Sequence, residues 1–129
     1  MTNPSDITIA VCITCRRPED PDAVPRAGVG FAANVTEAAE GTGFRVVPVR
    51  CLSMCKRPAA AALLQKNGWS YAFAELNFDA DAGALIDGAQ QLLASPDGRL
   101  PVKSQRPAAL QRAMTSRFPP FDYPGDEPK

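Results

Sequence analysis

The chain has 129 residues, a hydrophobic fraction of 45% and a formal net charge of zero, with 14 basic and 14 acidic residues. This length predicts one domain, and the apolar content is typical of a folded protein and too high for wholesale disorder. The balanced charge gives no case for nucleic acid as a partner, and no apolar run approaches the roughly 20 residues that a membrane helix needs.

The sequence predicts strands and helices in the order β-α-β-β-β-α. The predicted ranges are 7–12, 28–40, 44–49, 59–65, 69–76 and 80–95. Asn67-Gly68 indicates a two-residue hairpin turn between the third and fourth strands, because both residues can adopt positive φ. The first two strands, joined by a helix, should lie parallel with a right-handed connection, and Pro48 in the second suits a sheet edge. These features predict an α/β fold with a mixed sheet.

The last 33 residues have a different composition, with six of the 13 prolines and a cluster of arginines. We therefore expect a domain over residues 1–96 and a Pro/Arg-rich, largely extended tail over residues 97–129. A short helix is predicted near residues 108–116, and three aromatic residues offer apolar surface that docks the tail onto the domain or a partner. These are Phe118, Phe121 and Tyr123. Free disorder of the tail is the alternative.

Four cysteines form two close pairs, Cys12-x2-Cys15 and Cys51-x3-Cys55, separated by 35 residues. The chain begins without the basic and long apolar regions of a signal peptide, so we expect a cytoplasmic protein, in which such pairs favour metal ligands or redox thiols over disulfides. There is no histidine, so a four-ligand site within this chain must consist of thiolates. Each pair follows a predicted strand, and parallel neighbours bring both pairs to one edge of the sheet.

Four thiolates can hold a [2Fe–2S] cluster, a [4Fe–4S] cluster or a zinc ion, and the spacing leaves all three open. A thiol oxidoreductase is a further alternative, since Cys12-x2-Cys15 follows a strand as the thioredoxin redox motif does. That motif normally opens a helix, whereas a polar, proline-rich segment follows Cys15, and it leaves the second pair unexplained. The pattern favours an electron carrier or metal-binding protein over an enzyme.

A strand ending in cysteine, a helix, a second strand followed by Cys-x3-Cys, a hairpin and a closing helix resembles the thioredoxin-like [2Fe–2S] ferredoxins over residues 7–95. That resemblance implies a thioredoxin-like fold, a [2Fe–2S] cluster, one-electron transfer and a homodimer. In those ferredoxins the first two cysteines lie farther apart than Cys12 and Cys15 do. Residues 11–15 and 51–58 also resemble an uncharacterised bacterial family of predicted metal-binding proteins. That resemblance implies a link to cobalamin or cobalt-related pathways.

Basic residues flank both cysteine pairs. They are Arg16, Arg17, Arg50, Lys56 and Arg57. A cluster held by four thiolates is an anion, so nearby cations would stabilise it, favour its reduced form more strongly and raise its reduction potential. The same residues predict a cationic rim for an acidic redox protein partner; the alternative is that solvated loops simply collect basic residues.

Overall fold

A computed structural model gives the structure of residues 3–128, in which the chain forms five strands and three α-helices. They are β1 (Ile7–Cys12), α1 (Ala27–Ala38), β2 (Arg45–Val49), β3 (Ala61–Gln65), β4 (Ser70–Phe73), α2 (Ala82–Ala94), α3 (Ala108–Ala113) and β5 (Met114–Phe118). The predicted order β-α-β-β-β-α is confirmed as far as α2. In the part of the chain described, no helix is long and apolar enough to cross a membrane.

The strands form one mixed sheet in the order β2-β1-β3-β4-β5. The pair β1 and β2 is parallel, with Cys12 opposite Val49, and the remaining neighbours are antiparallel. The predicted parallel pair and the extension of the sheet by the hairpin are confirmed. Pro48 lies in β2, an edge strand of this sheet, where its lack of an N–H group leaves no ladder position unfilled.

The helices α1 and α2 cover one face of the sheet. Ile7, Ile9 and Val11, alternate residues of β1, are fully buried on that face. Burial of one Val or Ile side chain stabilises a fold by about 1.5–3 kcal/mol. The largest of these core side chains include Ile7, Ile9, Val11, Phe31, Val35, Leu63, Tyr71, Phe73, Leu85 and Leu92. On the opposite face Ala10 and Ala62 are small, and Leu64 is 41% exposed. This face is not covered by a helix in the part of the chain that the structure describes.

The expectation of a largely extended tail is corrected over part of its length. The predicted short helix is present as α3, and residues 114–118 form β5, which pairs antiparallel with β4. Leu110 of α3 is fully buried because Gly88 of α2 has no side chain: a Cβ there would lie 2.5 Å from Leu110 Cδ1. Phe121 is fully exposed, whereas Tyr123 contacts Trp69 edge to face at 5.4 Å. The helix α3 thus contributes to the core, and β5 extends the sheet.

The connection between β3 and β4 differs from the predicted two-residue turn. Neither Asn67 nor Gly68 has positive φ, and the connection is longer than two residues. The Gln65 side chain fills it, with Nε2 donating to the carbonyls of Trp69 at 2.9 Å and Gly98 at 2.8 Å. A Cβ on Gly68 would lie 2.5 Å from Gln65 Cδ. The end of the Gln65 side chain therefore occupies the space beside Gly68 and would have to shift if this residue had a side chain.

Candidate metal centre

The two cysteine pairs follow the carboxyl ends of β1 and β2. Cys12 is the last residue of β1, and Cys51 lies just beyond the end of β2. The Cys12 Sγ atom lies 3.8 Å from the Arg50 carbonyl oxygen, and the Thr14 hydroxyl donates to the same carbonyl. The segments that carry the first and second pairs are therefore in direct contact, as the parallel strands predicted.

The first pair is buried: Cys12 is 2% and Cys15 is 3% exposed. Burial, together with the hydrogen bond and the charge of the neighbouring Cys12, raises the pKa of the Cys15 thiol to about 12. Burial opposes ionisation of Cys12 as well, but hydrogen bonds from Thr14, Cys15 and the backbone of Leu52 leave its pKa below the ordinary value. One buried thiol is thus set up to ionise before its neighbour.

The second pair is exposed, and its sulfur atoms lie 3.7 Å apart. Ser53, between the two cysteines, has a left-handed backbone with φ of 62°, and its N–H donates to Cys51 Sγ at 3.2 Å. Hydrogen bonding to Cys51 and repulsion from its thiolate raise the pKa of Cys55. A cation placed against both sulfurs would remove this repulsion.

The two pairs influence each other without converging on one point. The charge of Cys12 contributes to the raised pKa of Cys55, and that of Cys55 to the raised pKa of Cys15. All four thiols are free. Over residues 3–128, no three of the cysteine and carboxylate side chains are arranged to hold a single ion. The arrangement is two neighbouring pairs, one inside and one at the surface.

The amino end of α1 holds the Cys12–Cys15 segment in place. The Gly28 N–H donates to the Cys15 carbonyl at 3.0 Å, and Arg26 Nη1 donates to the Thr14 carbonyl at 3.3 Å. A Cβ on Gly28 would lie only 2.3 Å from the Cys12 carbonyl oxygen. The sequence placed Gly28 at the start of a helix but gave it no function; a glycine at that point was the available signal of close helix–strand contact.

Ion pairs engage two of the five basic residues that flank the cysteines. Arg17 forms a bidentate pair with Asp79, with N–O distances of 3.0 and 2.6 Å, and its guanidinium lies 5.1 Å from the Phe78 ring centroid. This hydrogen-bonded pair lowers the pKa of Asp79. Arg57 pairs with Glu75 at 3.1 Å. Both pairs tie a cysteine-bearing segment to the connection between β4 and α2.

The other three flanking cations are Arg16, Arg50 and Lys56, and all are exposed. Within residues 3–128 no carboxylate lies within ion-pair distance of any of them. Among the described residues, the predicted cationic rim therefore has three unpaired basic residues instead of five, because Arg17 and Arg57 are paired with carboxylates.

The mixed sheet with a parallel first pair, its two covering helices and its cysteine-bearing strand ends define a thioredoxin-like α/β protein. The fold is similar to that of a thioredoxin-like [2Fe–2S] ferredoxin from Aquifex aeolicus, with a TM-score of 0.54 and 14% sequence identity over 91% of this chain and 97% of the other. The chain belongs to the family described as "protein of unknown function (DUF1636)", whose model matches residues 9–120. That match extends through α3 and β5. Comparison with curated proteins gives no match.

Proposed function

We propose that this protein binds a [2Fe–2S] cluster through Cys12, Cys15, Cys51 and Cys55 and acts as a ferredoxin-like carrier of single electrons. The observation that carries the proposal is the pairing of the four thiols at the ends of adjacent parallel strands, with 3.7 Å between the sulfurs of Cys51 and Cys55. The similarity of the fold to that of a [2Fe–2S] ferredoxin supports it.

The exposed pair has the geometry of two ligands on one metal ion. Two thiolates about 2.3 Å from a tetrahedral ion lie about 3.8 Å apart. The sulfurs of Cys51 and Cys55 are 3.7 Å apart, close to this value. These side chains therefore need little rearrangement to take a metal between them.

Two separate pairs suit a dinuclear cluster better than one ion. A [2Fe–2S] cluster takes two thiolates on each iron, so Cys12 with Cys15 and Cys51 with Cys55 would each serve one iron. A mononuclear zinc site needs all four sulfurs around a single point. The grouping of the thiols into two close pairs at adjacent strand ends supports the cluster, and zinc is the alternative that metal and sulfide analysis separates from it.

When bound, the cluster would supply one-electron redox chemistry, and the chain would set its environment. The buried pair excludes water from one side, while the exposed pair leaves the other side open to a partner. Arg16, Arg50 and Lys56 add positive charge, which favours the more negative reduced form and raises the reduction potential. The N–H of Ser53 donates to Cys51 Sγ, and such bonds to sulfur act in the same direction.

A thiol oxidoreductase is disfavoured by the burial of the Cys-x2-Cys pair. Cys12 and Cys15 are nearly inaccessible, so a substrate disulfide cannot reach either sulfur in line. Residues 16–26 contain no helix, and α1 begins only at Ala27. The helix amino end that activates the first cysteine of a redox motif does not directly follow this pair.

Metal and sulfide analysis of the purified protein, with visible absorption and EPR of the reduced form, tests the proposal. We expect about two irons and two sulfides per chain and a red-brown colour. Cys51→Ser and Cys55→Ser should each lose or strongly perturb the cluster, and both positions are exposed enough to accept serine. Ser53→Gly is the matched control: only its backbone N–H is used, and glycine accepts its left-handed φ, so cluster content should be kept.

Two results would overturn the proposal. One is colourless protein that contains one zinc and no sulfide per chain. The other is unchanged iron content and unchanged spectra in both cysteine variants, which would show that Cys51 and Cys55 are not ligands.

The partner follows from the same charges. We propose that an acidic redox protein docks at the rim formed by Arg16, Arg50 and Lys56; electron transfer to such a partner should slow as ionic strength rises. A homodimer and a role in cobalamin or cobalt metabolism remain predictions from family resemblance. Size-exclusion chromatography with light scattering tests the first of these.

A further inference from the structure

A groove of about 590 Å³ lies between the end of α2, residues 95–102 and the end of β5. Three arginines line it, Arg99, Arg106 and Arg117. Within residues 3–128, none of these guanidinium groups has a carboxylate at ion-pair distance. Three cations in one concave site repel one another, so the groove is electrostatically prepared for an anion.

The groove lies at the other end of the strands from the cysteines. β1 and β4 are both antiparallel to β3, so they run in the same direction. The cysteines follow the carboxyl end of β1, whereas Trp69, which contacts two of the arginines, precedes the amino end of β4. The groove is therefore a second site, independent of the proposed cluster.

Contacts within the protein hold the arginines in position while leaving donors free. The guanidinium groups of Arg99 and Arg117 lie 4.7 and 4.9 Å from the centroid of the Trp69 ring. Arg99 is also within hydrogen-bonding reach of the Tyr123 hydroxyl, whereas the Arg117 guanidinium has no hydrogen-bond or ion-pair partner in the described part of the chain and remains available to an oxyanion. Arg106 donates from Nε to the Pro101 carbonyl at 2.9 Å, which fixes its orientation and leaves Nη2 free.

The rest of the lining is largely apolar, with one carboxylate and one unusual acceptor. Asp97 is held by the hydroxyl of Ser95, and hydrogen bonding to this hydroxyl lowers its pKa. The Gln91 side chain donates to the Gln105 carbonyl at 2.8 Å, but its buried Oε1 has no hydrogen-bond partner in the described part of the chain. Ala94, Leu100 and Val102 supply apolar walls.

We propose that this groove binds a small organic anion, with a phosphate or carboxylate group on the arginines and an apolar body against the walls. The volume lies within the roughly 300–1,000 Å³ of small-molecule sites. Planar guanidinium groups bind both types of oxyanion through paired N–H donors. The Pro/Arg-rich composition of the segment after residue 97 is thereby explained in part as the lining of a binding site.

Trp69 makes the proposal directly measurable, since it is the single tryptophan of the chain and contacts two of the arginines. The purified protein is titrated with phenyl phosphate and, separately, with benzoate, at constant ionic strength, while tryptophan fluorescence is followed. We expect a saturable change with at least one of the two, confirmed by calorimetry. Phenol and sodium chloride serve as control titrants. The arm that binds more tightly identifies the oxyanion.

Arg106→Gln is the informative variant because Arg106 does not contact Trp69. Losing one charge-assisted contact should weaken binding about tenfold. Arg45→Gln removes the same charge from β2, at the opposite edge of the sheet, and should leave binding unchanged. Should Arg106→Gln fail to fold, Val102→Asp provides a second test: Val102 is 64% exposed, and a carboxylate there should weaken binding by a similar factor.

The proposal is overturned if neither anion gives a saturable change, or if Arg45→Gln and Arg106→Gln weaken binding equally. It is also overturned if both groove variants bind as the unchanged protein does. Metal content does not enter these measurements, so the outcome is independent of the cluster.

Discussion

Replacing Gly28 by alanine should damage the candidate metal centre from the helix side. An added Cβ would lie 2.3 Å from the Cys12 carbonyl oxygen and 2.9 Å from both the Ile13 carbonyl carbon and its Cα. All three are backbone atoms and cannot rotate away, so α1 or the chain that carries Cys12 must move. The expected movement is toward a wider gap between α1 and β1, which also disturbs the hydrogen bond from the Gly28 N–H to the Cys15 carbonyl.

Two opposing effects determine how much Gly28→Ala changes the free energy of unfolding. Overpacking of this kind costs about 1–3 kcal/mol and sometimes more. Alanine is a better helix former than glycine by up to about 1 kcal/mol. Gly30→Ala isolates the second effect, because Gly30 is in the same helix and a Cβ there meets nothing within 4 Å. We therefore expect the free energy of unfolding of Gly28→Ala to be about 2 kcal/mol lower than that of Gly30→Ala.

Urea denaturation of the two variants and the unchanged protein measures this difference, and iron analysis of the same samples tests the effect on the centre. Gly30→Ala should match or exceed the stability of the unchanged protein and keep its metal. Gly28→Ala should lose both stability and metal. Equal unfolding free energies for the two variants would refute the packing argument, and full metal content in a destabilised Gly28→Ala would refute the link to the cysteines.

Two further perturbations test the elements around the site. Gly88→Ala should destabilise the protein by about 1 kcal/mol, because the added Cβ displaces the buried Leu110 side chain. Gly83→Ala is the control: a Cβ there meets nothing within 4 Å, so this variant should be neutral or stabilising. Thermal denaturation compares the two, and equal melting temperatures would contradict the packing argument. Asp79→Asn should reduce the pH dependence of the free energy of unfolding. Arg17 lowers the pKa of Asp79 in the folded state, so the ion pair stabilises the fold fully above the ordinary aspartate pKa of about 3.9. This stabilisation is lost as the pH falls through the lower pKa of the folded state. Unfolding curves measured from pH 2 to pH 6 should be flatter for the variant, and identical pH profiles would contradict it.

The placement of the cysteines at neighbouring strand ends was the part of the site that the sequence predicted best. A β-branched run ending at Cys12 and a second run ending just before Cys51, with a helical pattern between them, predict parallel neighbouring strands, and that geometry brings the two segments together. The sequence did not predict that one cysteine pair is buried and the other exposed. It depends on how α1 packs over the first segment, which one glycine without a side chain permits.

The strand β5 could not be predicted because its sequence carries little strand signal. Met114 and Thr115 are half-buried, and residues 116–118 are exposed, so there is no alternation between apolar and polar residues. Prolines follow it directly, which favours a tail. The strand forms because β4 offers an unpaired edge, a property of the assembled sheet and not of residues 114–118 themselves.

The turn at Asn67-Gly68 shows a local rule overridden by a distant contact. The dipeptide is typical of a tight hairpin, but the Gln65 side chain bonds to the carbonyl of Gly98, far along the chain. That interaction takes the space and the hydrogen bonds that a two-residue turn would use.

β5 is the last strand of the sheet in chain order, and it covers an edge that β4 presents before it. The ribosome makes β4 before β5, and at about 5–20 residues per second the interval between them is on the order of seconds. Throughout that time, the edge of β4 that β5 later covers presents free N–H and C=O groups, the kind of surface on which neighbouring chains aggregate. We therefore expect a chain interrupted at residue 96 to keep that edge uncovered and to aggregate more readily, even though every cysteine is present.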